Sequence, residues 1–431
     1  MNNPTPHRRS SIAVLGVIAV LVMLTACSSD PVAVTSAPPT ASVAVRSTNT
    51  PRPPSNTVAA PTNTRRAPTV VASVGTPVTS PSILVTALAN GLNRYIMPLG
   101  SGAAQGFWQV YFSAPSGSRD ANTYVGGIDL ALVSALAQTT RTLDIAAYEF
   151  NNVAITAAVV DAAQRGVRVR VVTDNEGGTE AENTTLAELE AAGVNIVTDT
   201  RSALMHNKFM ILDSLTVWTG SWNYTINDTY RNNNNALSLR SRRAVELYQA
   251  EFNEMFVNGA FGPSSPVSVN NSFTQDGIPV EIYFAPEDEV LARIIQAIAS
   301  SRRSIRFMAF SFTQDSIGDA IVARLAANRS ITARGIFENT GSETRFSEMT
   351  KLSCANIAVR QDGNPFVLHH KVFIIDGSLV ISGSFNFSAN ATNSNDENLI
   401  VIQDQALAEE YIREFDRRWA EAREPQDVVC S

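Results

Sequence analysis

Apolar positions are arranged differently in three parts of the chain. Residues 12–24, IAVLGVIAVLVML, form one uninterrupted apolar run. Residues 28–84 are rich in Pro, Thr, Ser, Ala and Val and show no period. From 85 onward, short apolar stretches alternate with helix-like ones. LDIAAYEF (143–150) leads into ITAAVVDAAQRG (155–166) and then VRVRVVTDN (167–175). IRFMAFSF (305–312) leads in the same way into IGDAIVARLAANR (317–329) and ITARGIFEN (331–339). Amphipathic stretches at 244–256 and 406–419 predict a closing helix for each half, and VYFSAP (110–115) is echoed by IYFAPE (282–287). Strands alternating with helices predict an α/β fold with mixed, mostly parallel sheets flanked by helices. A repeat this long is a duplicated domain rather than a solenoid. The breaker-rich stretch 262–272 separates the halves, giving 85–262 and 263–431.

The start of the chain reads as processing and tether. Arg8 and Arg9 precede the apolar run, which is too short to span a membrane comfortably, and LTAC follows it. This predicts an export signal over 1–27. The stretch resembles a bacterial lipobox, and the resemblance implies lipid on Cys27. Residues 28–84 cannot bury enough apolar area to offset their chain entropy, so they read as a disordered tether. The expected location is the outer face of a bacterial membrane. Cys354 and Cys430 are the remaining cysteines. They either pair, as an oxidising compartment permits, or stay as two buried thiols.

The chain has 33 Lys plus Arg, but its lysines are only Lys208, Lys351 and Lys371. Two of the three follow a histidine by two residues. His206-x-Lys208-x4-Asp213 recurs as His369-x-Lys371-x4-Asp376, an offset of 163, and Gly220-Ser221-x-Asn223 recurs as Gly383-Ser384-x-Asn386 at the same offset. On a strand, His and Lys two apart project from one face. A glycine-serine turn at the end of the next strand brings an asparagine beside them. Paired His, Lys and Asn suit an anionic diester. The ammonium and amide groups hold non-bridging oxygens, one imidazole attacks phosphorus, and the other handles the leaving-group proton. No Cys/His cluster has zinc-like spacing, and this chemistry needs no metal or cofactor.

These residues resemble the paired HKD motifs of the phospholipase D superfamily over nearly all of 105–425. The resemblance implies two phospholipase D-like domains with the site at their pseudo-twofold interface, in a monomer that is its own pseudo-dimer. It implies His206 and His369 as the catalytic pair. Lys208, Lys371, Asn223 and Asn386 would form the phosphate cradle, with Ser221 and Ser384 beside substrate. Asp213 and Asp376 complete each motif, ordering it by hydrogen bonds. Family members often add an acidic residue that orients a histidine of the opposite half. The second half has Glu397 there, while the first has Asn234. If Glu397 reaches across, His206 is the nucleophile and His369 the acid. Tyr148, Phe150, Phe310 and Phe312 read as core.

Charge bears on the substrate. Residues 1–84 hold six of the 33 basic residues and one of the 40 acidic ones, so the remainder carries a net charge of −12. That is poor for sequence-independent nucleic-acid binding. With a membrane anchor, it favours a phospholipid over nucleic acid. An HKD-type endonuclease and a silent phosphodiester-binding lipoprotein are the alternatives.

Overall fold

The computed structural model describes residues 82–430 except 269, 343 and 427. The apolar run, Cys27 and nearly all of the tether reading lie outside the described residues. Among the described residues, no helix is long and apolar enough to cross a membrane.

Ten strands form the first sheet: β1 (Leu84–Ala87), β2 (Asn93–Met97), β3 (Gly100–Gln105), β4 (Trp108–Ser113), β5 (Thr142–Ala147), β6 (Arg168–Thr173), β7 (Asn195–Thr198), β8 (Lys208–Leu212), β9 (Thr216–Gly220) and β10 (Asn235–Leu239). Their order is β1-β2-β3-β4-β10-β9-β8-β5-β6-β7. Eight strands form the second: β11 (Ser272–Gln275), β12 (Ile278–Ala285), β13 (Ser304–Ala309), β14 (Thr332–Phe337), β15 (Ala358–Gln361), β16 (Lys371–Ile375), β17 (Leu379–Gly383) and β18 (Glu397–Ile402). Their order is β11-β12-β18-β17-β16-β13-β14-β15. The duplicated α/β architecture is the expected one, and both sheets are mixed.

The expectation of mostly parallel pairing is corrected. Only β5–β6, β6–β7, β13–β14 and β14–β15 pair in parallel. Parallel neighbours need a crossover, and helices such as Val153–Gln164 and Asp315–Ala327 supply it only there. Tight turns join β8 to β9 and β16 to β17, so these pairs are antiparallel. Asp213 and Asp376 occupy those turns with φ of 52° and 56°.

Three apolar clusters make the core. One lies between the two sheets and includes Phe112, Phe209 and Leu237 from the first half and Phe284, Val372 and Ile374 from the second. The others cover the outer face of each sheet. In β16, Val372 and Ile374 belong to the central cluster while Phe373 and Ile375 belong to the outer one. A strand buried on both faces reads as an unbroken apolar run, which is why KVFII shows no alternation.

The closing helices Arg242–Asn258 and Gln405–Glu421 also pack into the central cluster, through Tyr248 and Phe252 and through Tyr411 and Phe415. Spacing of four puts each pair on one face. Burying each ring contributes roughly 1.5–3 kcal/mol. Ser241 accepts from the Ala244 N–H and Asp404 from the Leu407 N–H, so both helices are capped where they begin. A disulfide joins Cys354 to Cys430, answering the question their sequence left open.

Candidate active site

Each catalytic strand is positioned by the other half. The His206 N–H donates to the Asp396 carbonyl at 2.9 Å, and the Asp396 N–H to Leu204 at 2.9 Å. The equivalent ladder runs from the His369 N–H to the Asn233 carbonyl at 2.9 Å and from the Asn233 N–H to Val367 at 2.8 Å. These crossed bonds put the two histidines at one seam.

Side-chain alternation then sorts the residues. His206 and Lys208 share one face, and the Lys208 ammonium donates to the His206 carbonyl at 2.7 Å. Lys371 does the same to His369 at 3.0 Å. The intervening residues face away. Asn207 donates to Glu251 at 3.0 Å, and His370 reaches Glu414 at 3.3 Å and Asn235 at 3.1 Å.

The carboxylate of Glu397 crosses the seam, and both of its oxygens lie 2.8 Å from His206 Nδ1. Ser384 donates to the same carboxylate at 2.7 Å. At the matching place across the pseudo-twofold, Asn234 Oδ1 lies 2.9 Å from His369 Nδ1 and accepts from Ser221 at 2.9 Å. The reading that put Ser221 and Ser384 against substrate is therefore corrected. Both hydroxyls are fully buried and hold the residue behind each histidine. Asp213 and Asp376 stand outside the cleft at the far ends of β8 and β16. Asp213 accepts backbone N–H bonds from Thr140, Arg141 and Thr142, and Asp376 from Arg302, Arg303 and Ser304.

Asn223 and Asn386 are delivered by the turns after β9 and β17. Gly220 and Gly383 have φ of 139° and 138°, and a Cβ on either would lie within 2.4 Å of a carbonyl on the neighbouring strand. Only glycine lets the chain leave the sheet so close to that strand. The amide oxygens of both asparagines are buried without a hydrogen-bond partner in the protein.

Three contributors were absent from the site that the sequence predicts. Asp228, on the short helix Ile226–Tyr230, lies 3.4 Å from His369 Nδ1 and accepts the Asn223 N–H at 3.0 Å. The position 163 residues on is Ala391, so the repeat gives no signal for it. Tyr148 and Phe310, read as core, line the cleft instead. Their rings stand edge-on to His206 at 5.0 Å and His369 at 4.7 Å. Lys208 and Lys371 lie over the same rings, at 5.0 and 4.8 Å. Phe150 and Phe312 are buried core residues.

Burial dominates the electrostatics. It pulls Lys208 down to about 8 and, with repulsion from Lys208, Lys371 down to about 7. Both histidines are pushed well below their ordinary value, chiefly by burial and further by the lysines. Burial drives Glu397 the other way, to about 8. When Glu397 is ionised, the His206 Nδ1–H donates to it and Nε2 is left with a free lone pair. Asp228 stays below the usual carboxylate range: burial raises it, but His369, Asn232 and the Asn223 N–H outweigh that. Two desolvated cations in one cleft favour an anion between them.

Among the described residues, the carboxylates close enough to share a cation are Glu251, Glu254 and Glu287. They lie behind Asn207, on the face turned away from the histidines. Burial raises all three, Glu254 to about 7 and Glu287 to about 8.

A duplicated α/β fold with two His–Lys–Asn sets facing one another is the class that this geometry defines. A family profile described as "Cardiolipin synthase, PLD-like domain" matches residues 132–256 and 294–419, more than half of the chain, which therefore belongs to this phospholipase D-like family. It is 35% identical over 129 residues to a mitochondrial cardiolipin hydrolase of Chlamydomonas reinhardtii, covering 30% of this chain and 57% of that protein. It is 34% identical over 136 residues to a phospholipase D of Rickettsia prowazekii, covering 32% and 65%. The crystal structure of phosphatidylserine synthase from Haemophilus influenzae Rd KW20 superposes with a TM-score of 0.53 at 13% identity, covering 80% of this chain and 89% of that one. That last likeness is one of fold.

Proposed function

We propose that this protein is a phospholipase D-type phosphodiesterase that hydrolyses phospholipids through a phosphohistidine on His206. The observation that carries the reading is the Glu397 carboxylate on His206 Nδ1. It fixes the tautomer and leaves Nε2 to attack phosphorus. As the P–N bond forms, the bond to the leaving oxygen breaks, and that oxygen takes a proton from His369 Nε2. Asn234 and Asp228 accept at His369 Nδ1 and stabilise its charged form. Lys208, Lys371, Asn223 and Asn386 hold the non-bridging oxygens, whose charge also offsets the burial that disfavours imidazolium. Water then attacks phosphorus, His369 takes its proton, and the P–N bond breaks. Diester plus water becomes phosphomonoester plus alcohol.

The phospholipid is favoured over nucleic acid by the net charge of −12 beyond residue 84 and by the LTAC stretch ending at Cys27. Lipid on Cys27 keeps the enzyme beside its substrate, and replacing Cys27 with Ser should abolish fatty-acid labelling. The test of function compares phosphatidylcholine, cardiolipin and single-stranded DNA in excess chelator. Lipid cleavage with an acid-labile phosphoryl adduct on the peptide carrying His206 supports the reading. Loss of all activity in chelator, or cleavage of DNA alone, overturns it.

A further inference from the structure

The two mouths of the cleft differ in charge. Beside His206 the cation is Arg201, and it is neutralised by two buried carboxylates, Asp199 at 3.3 Å and Asp396. Beside His369, the position matching Asp396 is Asn233, and the cations are Arg231 and Arg119. Neither has a carboxylate partner among the described residues. Arg231 donates from Nε to the Tyr124 hydroxyl at 2.6 Å, and its guanidinium lies 5.3 Å from the rings of Tyr124 and Phe366. Arg119 lies over the same Phe366 ring at 5.3 Å.

This arrangement is built into one half only. Between β4 and the helix Asp129–Gln138, the first half has the long connection 114–128, whereas 286–289 suffices in the second. The long connection carries Arg119 and Tyr124, and the Tyr124 hydroxyl and the Ser118 carbonyl, 3.1 Å apart, brace it. Tyr124 stacks on Tyr230 at 5.4 Å. The cluster adjoins His369. Phe366 precedes His369 by three residues, where the first half has Ala203. The Asn364 amide ties this loop to the Arg231 carbonyl at 3.0 Å and to Asn233 at 2.9 Å. Arg231 itself follows the helix that carries Asp228.

In-line displacement sends the leaving oxygen away from the nucleophile. With His206 attacking, the alcohol departs past His369 and over this cluster. Two guanidinium groups without a carboxylate partner there attract an anion; Arg119 can meet phosphate oxygens in a fork, while Arg231, engaged at Nε by Tyr124 and at Nη1 by Asn227, offers its remaining N–H groups. A choline or ethanolamine ammonium is repelled, and the faces of Phe366 and Tyr124 that would receive it are occupied by the arginines. We infer that Arg119, Arg231 and Phe366 form a specificity subsite for phospholipids whose leaving alcohol itself carries a phosphate, as in cardiolipin. This deepens the phospholipase reading and rests on it.

The test uses mixed micelles of neutral detergent with a fixed mole fraction of cardiolipin, phosphatidylglycerol or phosphatidylcholine, beside a single-stranded oligonucleotide. The wild-type protein should favour cardiolipin over phosphatidylglycerol in kcat/KM, with phosphatidylcholine slowest. R231Q and R119Q should each lower the cardiolipin-to-phosphatidylglycerol ratio by roughly tenfold or more, the loss of a charged hydrogen bond. The preference should also weaken with salt. Arg119 is exposed, so R119Q tests the idea even if R231Q unfolds. A wild-type protein that cleaves the three lipids alike, or variants that leave the ratio unchanged, overturn the subsite. Cleavage of the oligonucleotide and of no lipid overturns the phospholipase reading itself.

Discussion

The two halves solve one problem with different parts. Each supplies a carboxylate to the histidine of the other. The second half uses Glu397 at the start of β18, in direct contact with His206. The first half uses Asp228 on a short helix, at 3.4 Å from His369, with Asn234 in the place of the glutamate. A pseudo-twofold scaffold thus holds two imidazoles in different electrostatic settings. A close carboxylate on a fixed Nδ1–H suits a nucleophile, and a neutral amide backed by a more distant carboxylate suits a group that must gain and lose a proton.

Replacing the histidines tests this division most severely. H206A should lose the phosphoryl adduct and turnover altogether, whereas H369A should keep residual burst chemistry on a p-nitrophenyl ester, which needs little protonation. Mass spectrometry that places the adduct on His369 would reverse the roles. Removing one carboxylate comes next. E397Q should lower kcat by about 10²–10⁴, the usual range for a general acid–base arrangement, and D228N should cost less. Equal losses in single-turnover kinetics would show that the asymmetry has no catalytic meaning.

The lysines sharpen the comparison through pH. Burial and Lys208 depress Lys371 to about 7, while Asp228 and Glu397 oppose the shift. In the free enzyme its charge is lost as pH rises through about 7, so kcat/KM should fall there. An anionic substrate favours the charged form, so the alkaline limb of kcat should lie higher. K371R stays charged and should move the kcat/KM limb upward. Stability runs the opposite way: between about 7 and the ordinary lysine value of ~10.4 the unfolded chain binds a proton that the fold does not, so this group makes the fold more stable as pH rises. The smallest effect on turnover belongs to the disulfide, which only the second half has. Cys354 corresponds to Ala191. C354S should reduce stability by roughly 2–4 kcal/mol in a thermal melt, with turnover of the folded enzyme within about twofold.

What the sequence reveals follows from what was duplicated. The His–Lys–Asn sets stand out because they recur at an offset of 163, and the alternation of one strand predicts that His370 turns away. Asp228 is invisible to that comparison because its counterpart is Ala391, and its reach to His369 exists only once the seam has formed. Ser221 and Ser384 are conspicuous for the same repetition, yet their partners lie behind the histidines rather than in front. Tyr148 and Phe310 look like the aromatic residues beside them, since strand ends carry no mark of which face becomes a cleft. Parallel pairing is overestimated because a strand–helix–strand rhythm holds for four ladders, while β9–β10 and β17–β18 are antiparallel although a short helix lies between their strands, and β8–β9 and β16–β17 are joined by turns.

The crossed bonds at the seam also set a timetable. As the chain emerges from the ribosome, His206 is made early, but the backbone partner that pins it is Asp396 and the carboxylate that orients it is Glu397. On the proposed mechanism, both halves must be folded before His206 can act. A truncated chain carries one complete motif and no oriented base. Such a chain should be inactive, so on the proposed reading activity requires both halves.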